Sequence, residues 1–271
     1  MLKRALIMMD MSGIGRCALT VALPVLSAMG MQACPLPLGV LSAHTGGFGA
    51  IARQDLSDFA DSALAHYRVI DAKFDALYSG YLMNDGQLRT LRRAIEDNRD
   101  AFILIDPVMA DHGKYYSGIG DSRAEGYRAL LPMADLVTPN ATEAHLLLNA
   151  DKDLPPDRLL GGLLSLGCKA ALVKGIGGVN HYRAQSGDMI SIPYRAVEGA
   201  YPGTGDLFAS IILGALMQNR APSAAIELAA GFVSACIEHT RGLNTPAREG
   251  VCFEQMLTNL QVGVSNNSFL T

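Results

Sequence analysis

The sequence contains no tryptophan, and only 6% of its 271 residues are aromatic and 18% charged. Lysine and arginine number 22 against 26 aspartate and glutamate residues, which gives a net charge of −4. No basic surplus is therefore available to neutralise the phosphates of a nucleic acid, and we expect no nucleic-acid partner. The apolar fraction of 49% is too high for a disordered chain.

Long apolar runs and paired cysteines are also absent. Apolar stretches such as residues 211–217 fall far short of the ~20 residues that cross a bilayer, so we expect no membrane-spanning helix. The five cysteines are scattered and form no CxxC pair, which favours reduced thiols and a cytoplasmic location. Residues 1–9 lack a small-residue cleavage site and are interpreted as a strand rather than a signal peptide.

Short apolar runs alternate with longer amphipathic segments along the chain. Strands are predicted at residues 4–9, 34–41, 76–79, 102–105, 136–138 and 170–173, followed by a hairpin over 181–193. Helices are predicted at residues 17–29, 56–69, 85–98, 122–131, 141–148, 157–166, 206–217, 223–240 and 253–260. This alternation predicts an α/β fold, a three-layer α/β/α sandwich with a mostly parallel central sheet.

The chain shows no linker or repeat, so residues 1–262 are expected to form a single domain and the polar residues 263–271 a flexible tail. Pro35 and Pro37 cannot donate to a sheet ladder, which predicts that strand 34–41 lies partly at an edge. A glycine turn is expected directly after Asp10.

Polar residues recur just beyond the predicted strands, where parallel sheets bind their ligands. They are Asp10, Ser12, His44, Thr45, Gly80, Tyr81, Asp106, Asp111, Thr138, Asn140, Glu143, Lys174 and residues 203–206. A purely structural protein has no need of such a set, so we expect a ligand site at this edge of the sheet.

The strongest single motif is Tyr-Pro-Gly-Thr-Gly-Asp-Leu-Phe-Ala at residues 201–209. Its glycines precede an apolar helix, whose first backbone N–H groups can bind an anion. Asp206 in the first turn of that helix can accept a proton, and the combination suits phosphoryl transfer onto a hydroxyl. The alternative is that Asp206 merely caps its helix.

Two acidic motifs lie earlier in the chain. Asp106 and Asp111 follow a buried strand, and acids near a phosphate require a cation such as Mg²⁺; the alternative is a solvated Asp-Pro turn. Asn140 and Glu143 stand at the start of a predicted helix, where capping alone would account for both.

Two glycine-rich segments imitate nucleotide-binding motifs. Residues 13–18 fit the dinucleotide fingerprint, but no acidic residue follows about 20 positions later, between Asp10 and Asp55. The alternative for this segment is a tight strand-to-helix turn that lets backbone approach a ligand. Residues 162–169 nearly spell a P-loop, but Cys168 stands in place of the lysine and the segment precedes a strand, so we reject it.

Together the motifs resemble the ribokinase-like superfamily and, within it, the pyridoxal/pyridoxamine kinases. Residues 203–209, 106–111 and 138–143 carry the superfamily pattern, while Ser-Ala-His-Thr at 42–45 and Ser-Gly-Tyr-Leu at 79–82 resemble the vitamin B6 branch. The resemblance covers residues 4–240. It implies a ribokinase-like fold and ATP-dependent phosphorylation of the 5′-hydroxymethyl group of pyridoxal, pyridoxamine or pyridoxine. It further implies Mg²⁺, with a monovalent cation as an option, and a homodimer.

The same resemblance implies roles for individual residues. Abstraction of the substrate proton is assigned to Asp206, and binding of the transferring phosphoryl group to Gly203, Thr204 and Gly205. Contacts with ATP are assigned to Asp106, Asn140, Tyr116, Lys174 and Thr204, and contacts with Mg²⁺, mostly through water, to Asp106, Asp111 and Glu143. Contacts with the pyridine ring are assigned to Ser12, Thr45 and Tyr81, with Asp10 as a rival to Ser12.

Alternatives stay open for two of these residues and for the function. Tyr81 could cap the core, and Lys174 could be a solvated strand-end lysine. Residues 10–15 look partly like the start of hydroxymethylpyrimidine kinases, so such a kinase of the same fold is the first alternative function. A non-catalytic vitamin B6-binding protein is the second. Some pyrimidine-type enzymes carry, at the position of Asp111, a cysteine that can react with the aldehyde of pyridoxal. Because this chain has an aspartate there, we expect no covalent hemithioacetal at this position.

Overall fold

The computed structural model describes residues 2–150 and 154–261. Its strands are β1 Arg4–Ile14, β2 Gln32–Ala43, β3 Arg53–Asp55, β4 Ala76–Ser79, β5 Phe102–Ile105, β6 Ala110–Asp111, β7 Lys114–Tyr115, β8 Leu136–Val137, β9 Ala170–Ile176, β10 Val179–Ala184 and β11 Ile190–Pro193. Its α-helices are α1 Leu19–Ala28, α2 Ser57–Val69, α3 Gly86–Asp97, α4 Asp121–Arg128, α5 Ala141–Leu148, α6 Pro156–Ser165, α7 Thr204–Met217 and α8 Pro222–Gly242. Short 3₁₀ helices cover Leu131–Met133, Ala247–Glu249 and Glu254–Leu260.

Within the described ranges, nine strands form one sheet in the order β11-β10-β9-β8-β5-β4-β1-β2-β3. The strands from β9 to β2 are mutually parallel, while β3, β10 and β11 run antiparallel to their neighbours. The predicted mostly parallel sheet and the predicted hairpin, β10–β11, are both confirmed. A separate ribbon of β6 and β7 follows β5.

The parallel strands point their side chains alternately into two apolar cores, one on each face of the sheet. Ile7, Tyr78 and Leu104 pack on the face covered by α1, α7 and α8. Leu6 and Ile105 pack on the opposite face, which α2 to α6 cover. Because strands covered on both faces must be apolar throughout, the continuous runs in the sequence follow from this layering. The predicted three-layer sandwich is confirmed.

Strand β1 runs five residues beyond the predicted strand 4–9. A register shift between Met9 and Asp10 lets β1 continue beside β2, so that Ser12 pairs with Leu41 and Ile14 with Ala43. The expected glycine turn after Asp10 is wrong, because the longer β2 satisfies the backbone of these residues and keeps them extended. Asp10 and Ser12 therefore lie within a strand, and α1 begins only at Leu19.

Other expectations agree with the structure to differing degrees. Strands β4 and β5 and helix α5 have the predicted bounds, whereas the last predicted helix, 253–260, is a 3₁₀ helix. The three-residue strand β3 covers β2 at positions 39–41, so Pro35 and Pro37 lie in the edge portion of β2, as predicted.

The expected tail, 263–271, lies outside the described residues. Over the described ranges, no helix has both the length and the apolar character that crossing a bilayer requires.

Helix α7 lies deep in one core and packs closely against α1. Its residues from Leu207 to Ala215 are buried, as expected for a helix that is apolar on all sides. Gly214 permits the close approach, because a Cβ at this position would overlap the Met29 side chain. The α1 contact therefore fixes α7, whose first turn carries the glycine-aspartate motif.

Gly214→Ala should lower the free energy of unfolding by about 1 kcal/mol, because the flexible end of the Met29 side chain can move aside but its Cβ stays in tight contact at 3.2 Å. The matched control is Gly231→Ala in α8, where a Cβ would meet nothing within 4 Å. That control should gain about 0.5–1 kcal/mol from the better helix propensity of alanine. Urea unfolding of both variants checks the prediction, and changes of the same sign would contradict it.

Candidate active site

Residues at the carboxyl ends of β5, β8 and β9 form a buried polar cluster next to the start of α7. Thr138 Oγ1 and Lys174 Nζ both donate to Asp106 Oδ1, at 2.9 and 2.8 Å. Lys174 Nζ also lies 3.9 Å from the position that a Cβ would occupy at Gly205. The sheet edge and the glycine turn therefore belong to one site.

The carboxylate of Asp206 is held from outside its own helix. Its Oδ2 accepts a hydrogen bond of 2.8 Å from the backbone N–H of Ala18, and helix α7 begins without a side-chain cap. The alternative that Asp206 merely caps α7 is therefore wrong. Burial, with Asp106 and Asp10 nearby, raises the pKa of Asp206 to about 7, against the opposing effects of Ala18 and Lys174. A carboxylate with this pKa is poised to accept a proton near neutral pH.

Gly203 forms the turn into α7 with a φ of 83°, in the left-handed region that favours glycine. A Cβ on this residue would overlap the carbonyl oxygen of Arg16. The hydroxyl of Thr204 donates to the carbonyl of Tyr201 at 3.2 Å, which tightens the turn. The first N–H groups of α7 have no acceptor within the helix, so they are suited to an anion.

Asn140 and Glu143 form a capping box at the start of α5. Asn140 Oδ1 accepts from the backbone N–H of Glu143, and Glu143 Oε2 accepts from that of Asn140, at 2.9 and 2.8 Å. Asn140 Nδ2 and Glu143 Oε1 also bind the backbone of Ala110 and Met109. Capping is thus confirmed, and the same pair fixes the loop after β5. Burial raises the pKa of Glu143 to about 8, although Lys174 opposes the shift.

Lys174 is not a solvated strand-end lysine, so that alternative is wrong. Its side chain is 16% exposed and forms its ion pair with a fully buried Asp106. Burial lowers the pKa of Lys174, but the charges of Asp106 and Glu143 outweigh burial and raise that pKa overall. The lysine therefore stays positively charged at the sheet edge, where it can face a phosphate.

The β6–β7 ribbon carries Asp111, and Tyr116 follows β7 directly. Asp111 is largely exposed and accepts the backbone N–H of His112 at 2.8 Å. Burial raises the pKa of the Tyr116 hydroxyl, and the carboxylates of Glu143, Asp111 and Asp106 raise it further. Tyr116 therefore lies close to the acidic residues, at the outer side of the site.

One carboxylate oxygen of this cluster is suited to bind a divalent cation. Asp106 Oδ2 is buried and has no hydrogen-bond partner among the described residues. A buried carboxylate oxygen without a donor suits a cation or the water bound to one. Residues 2–150 and 154–261 contain no group of three or more His, Cys, Asp or Glu side chains that could hold an ion directly. The set of Asp106, Asp111 and Glu143 stays a prediction, with contacts through water.

Asp10 and Ser12 form a second buried pair on β1. Ser12 Oγ donates to Asp10 Oδ2 at 2.9 Å, and the two residues are 0% and 4% exposed respectively. Burial raises the pKa of Asp10 to about 6, while the Ser12 hydrogen bond opposes the shift. Tyr81 is half-buried near Asp10, whose charge adds to the effect of burial in raising the tyrosine pKa. Because the Ser12 hydroxyl already donates its hydrogen bond to Asp10, the free lone pairs of the two side chains can only accept hydrogen bonds.

The loop after β2 is fixed by His44, while Thr45 beside it is exposed. Gly46 N–H donates to His44 Nδ1 at 3.0 Å, so the ring proton is on Nε2, which donates to the carbonyl of Arg248 at 2.5 Å. Nε2 thus joins this loop to the 3₁₀ helix Ala247–Glu249, while Nδ1 holds the loop itself through Gly46. Thr45 remains as the predicted substrate contact here.

Sequence reasoning missed the partners near the end of the described chain that fix the loop of residues 15–18. Arg16 N–H donates to the carbonyl of Glu249 at 3.1 Å, and Arg16 Nε pairs with Glu254 at 2.6 Å. Residue pairs separated by 233 and 238 positions leave no local signal in the sequence. Gly13 lies in β1, so residues 13–18 do not form a dinucleotide turn. The backbone of this segment does approach the site, through the N–H of Ala18.

The chain matches a known protein family over most of its length. A family model described as phosphomethylpyrimidine kinase matches residues 23–250. The chain belongs to this family, in the ribokinase-like superfamily. Among curated relatives, it is 31% identical over 130 residues to a "putative pyridoxal kinase" of Schizosaccharomyces pombe. The match covers 45% of this chain and 40% of that relative. The chain thus spans less than half the length of this relative.

Several solved structures share the fold of this chain over nearly its whole length. A "putative phosphomethylpyrimidine kinase" from Bacteroides thetaiotaomicron VPI-5482 is 33% identical, with a TM-score of 0.90, and the match covers 97% of this chain and 96% of that protein. A second crystal form of the Bacteroides protein contains pyridoxal. Pyridoxal kinase from Lactobacillus plantarum is 28% identical, with a TM-score of 0.90 and coverage of 96% and 97%. The expected ribokinase-like fold is confirmed.

Gly203→Ala should lower kcat by about 100-fold, because separating the Arg16 carbonyl from the turn displaces Asp206 by the order of 1 Å. The matched control is Gly30→Ala, with a φ of 77° and nothing within 4 Å of the new Cβ. Both glycines have a similar positive φ, so Gly30→Ala reports the effect of backbone strain alone. A loss of turnover in Gly203→Ala beyond that of Gly30→Ala isolates the contact with Arg16. Unchanged turnover in Gly203→Ala would contradict the close packing at this turn.

Proposed function

We propose that this chain is an ATP-dependent kinase that phosphorylates the 5′-hydroxymethyl group of a vitamin B6 vitamer. The observation that carries the proposal is Asp206, a carboxylate with its pKa raised to about 7, beside the glycine turn that begins α7. A base and a set of anion-binding N–H groups side by side suit transfer of a phosphoryl group to a hydroxyl. Membership of a kinase family and the pyridoxal bound to a similar Bacteroides protein support the substrate class.

Each part of the cluster has a distinct task in this reaction. Asp206 accepts the proton of the hydroxymethyl group, while N–H groups of Thr204 and Gly205 face the transferring phosphoryl group. Lys174 supplies fixed positive charge beside that turn. Mg²⁺, when bound, neutralises phosphate charge, and Asp106 Oδ2 is the atom best suited to hold it, with Asp111 and Glu143 acting through water. Asn140 and Tyr116 flank the same edge as nucleotide contacts.

The pair of Asp10 and Ser12 supports a substrate that carries a hydrogen-bond donor on its ring. Their buried oxygen atoms accept hydrogen bonds, and a protonated pyridine nitrogen supplies such a donor. Tyr81 adds an aromatic face next to Asp10, which suits a flat heterocycle, and Thr45 lies on the neighbouring loop. These features extend the proposal to pyridoxal, pyridoxamine and pyridoxine alike.

A hydroxymethylpyrimidine kinase is the second candidate, favoured by the description of the matching family model and by the acceptor pair. The amino group of an aminopyrimidine is also a donor, so Asp10 and Ser12 fit either heterocycle. A homodimer and a monovalent cation complete the proposal on the strength of the family resemblance, and a cytoplasmic location on that of the scattered cysteines.

With ATP and Mg²⁺, pyridoxal, pyridoxamine or pyridoxine should give a higher kcat/KM than hydroxymethylpyrimidine. The assay follows ADP release and identifies the phosphorylated product by mass spectrometry. A preference for the pyrimidine would establish the second candidate. Tight binding of pyridoxal without any phosphorylated product would instead establish a non-catalytic binding protein.

Asp206→Asn should lower kcat by about 10²–10⁴-fold, because an amide cannot accept the substrate proton. ATP binding, measured by calorimetry, should stay close to wild type. Asp188→Asn in the exposed turn before β11 is the matched control and should retain full turnover. Wild-type turnover in Asp206→Asn would refute the role of Asp206 as the base.

A further inference from the structure

The residue that binds Asp206 from outside has an unusual backbone conformation. Ala18 has φ 53° and ψ −129°, a combination that residues with a Cβ rarely adopt. Its side chain is 2% exposed. Strain of this kind persists only where the surrounding structure fixes it, and it is concentrated at functional sites.

The surroundings of Ala18 hold this conformation from two sides. Arg16, two residues earlier, is bound by the carbonyl of Glu249 and the carboxylate of Glu254. On the other side, Gly203 packs against the Arg16 carbonyl so closely that no Cβ would fit. The loop before α1 is therefore clamped between the 3₁₀ segments near residue 250 and the start of α7.

The strained conformation turns the two backbone groups of Ala18 in different directions. Its carbonyl accepts from the N–H of Ala22 at 2.9 Å and so begins helix α1. Its N–H points away from that helix to Asp206 Oδ2, at 2.8 Å. An ordinary helix start would not join α1 to the first turn of α7 in this way.

We propose that Ala18 is a positioning residue, whose N–H occupies Oδ2 of Asp206 and so leaves Oδ1 as the atom that takes the proton of the substrate. This inference rests on the proposed function, in which Asp206 is the base. A hydrogen bond fixes one carboxylate oxygen and with it the rotation of the side chain. The free oxygen then has a defined direction relative to the phosphoryl-binding turn, as efficient proton transfer requires.

The charges around Asp206 give the Ala18 N–H a second effect. Asp10 on β1 and Asp106 after β5 disfavour the ionised carboxylate, while Lys174 on β9 favours it. The neighbouring Cys17 and Tyr78 stay neutral, since burial raises the pKa of both groups. The N–H of Ala18 favours the ionised form as well, so its removal should shift proton uptake by Asp206 to higher pH.

The test removes this N–H and keeps the side chain. L-lactic acid incorporated at position 18 by nonsense suppression converts the amide between Cys17 and Ala18 into an ester. We expect kcat at pH 7 to fall about tenfold or more, with little change in the KM for ATP. The acidic limb of the kcat–pH profile should move upward by about one pH unit. The matched control is the corresponding ester at Thr20, whose N–H has no acceptor among the described residues and which should behave as wild type.

Calorimetric binding of ATP and thermal melting establish that each ester variant is folded. A kcat–pH profile of the Ala18 ester that overlays the wild type overturns the inference, and so does an equal loss in both esters. Ala18→Val is the second variant: its branched side chain disfavours φ 53°, so it should shift the limb in the same direction. If Asp206→Asn retains turnover, the proposed base itself fails. An inactive Asp206→Asn together with an unaffected Ala18 ester removes only the role of Ala18.

Discussion

The buried ion pair between Lys174 and Asp106 is the interaction on which the rest of the site depends. The site gathers several carboxyl groups at one edge of a sheet, where low dielectric strengthens their mutual repulsion. Lys174 opposes the raised pKa of both Asp206 and Glu143 and bonds directly to Asp106. Without it, a fully buried carboxylate would lose its charged partner, which is among the most costly changes in a protein interior.

This concentration of acids also couples the site to the stability of the fold. Asp10, Glu143 and Asp206 have pKa values of about 6, 8 and 7, all above their ordinary values. At these three groups, the folded chain therefore binds more protons than the unfolded chain between about pH 4 and pH 8. Their contribution to stability falls as pH rises through this window, because the ionised groups are less well solvated in the folded state. The two apolar cores must offset this penalty.

Much of the site could be predicted because strand ends follow a simple rule. Asp106 and Lys174 are predicted from their places after apolar runs and Asp206 from the glycine motif before an apolar helix, and the structure brings the three together. The features that the sequence did not predict depend on partners far away in the chain. The extension of β1 depends on pairing with β2, and the hydrogen bond of Ala18 joins residues 188 positions apart. The Glu143 motif allowed either capping or metal binding, and only the hydrogen bonds showed the capping box.

The clamp on Arg16 has a consequence for the order in which the molecule is built. Domains generally fold as units, so the two ends of the described chain must come together before the domain is complete. The loop that carries Ala18 depends on Glu249 and Glu254, which bind Arg16 across more than 230 positions. A nascent chain that has not yet reached residue 254 therefore lacks the contacts that hold this loop, and with them the geometry of the candidate site.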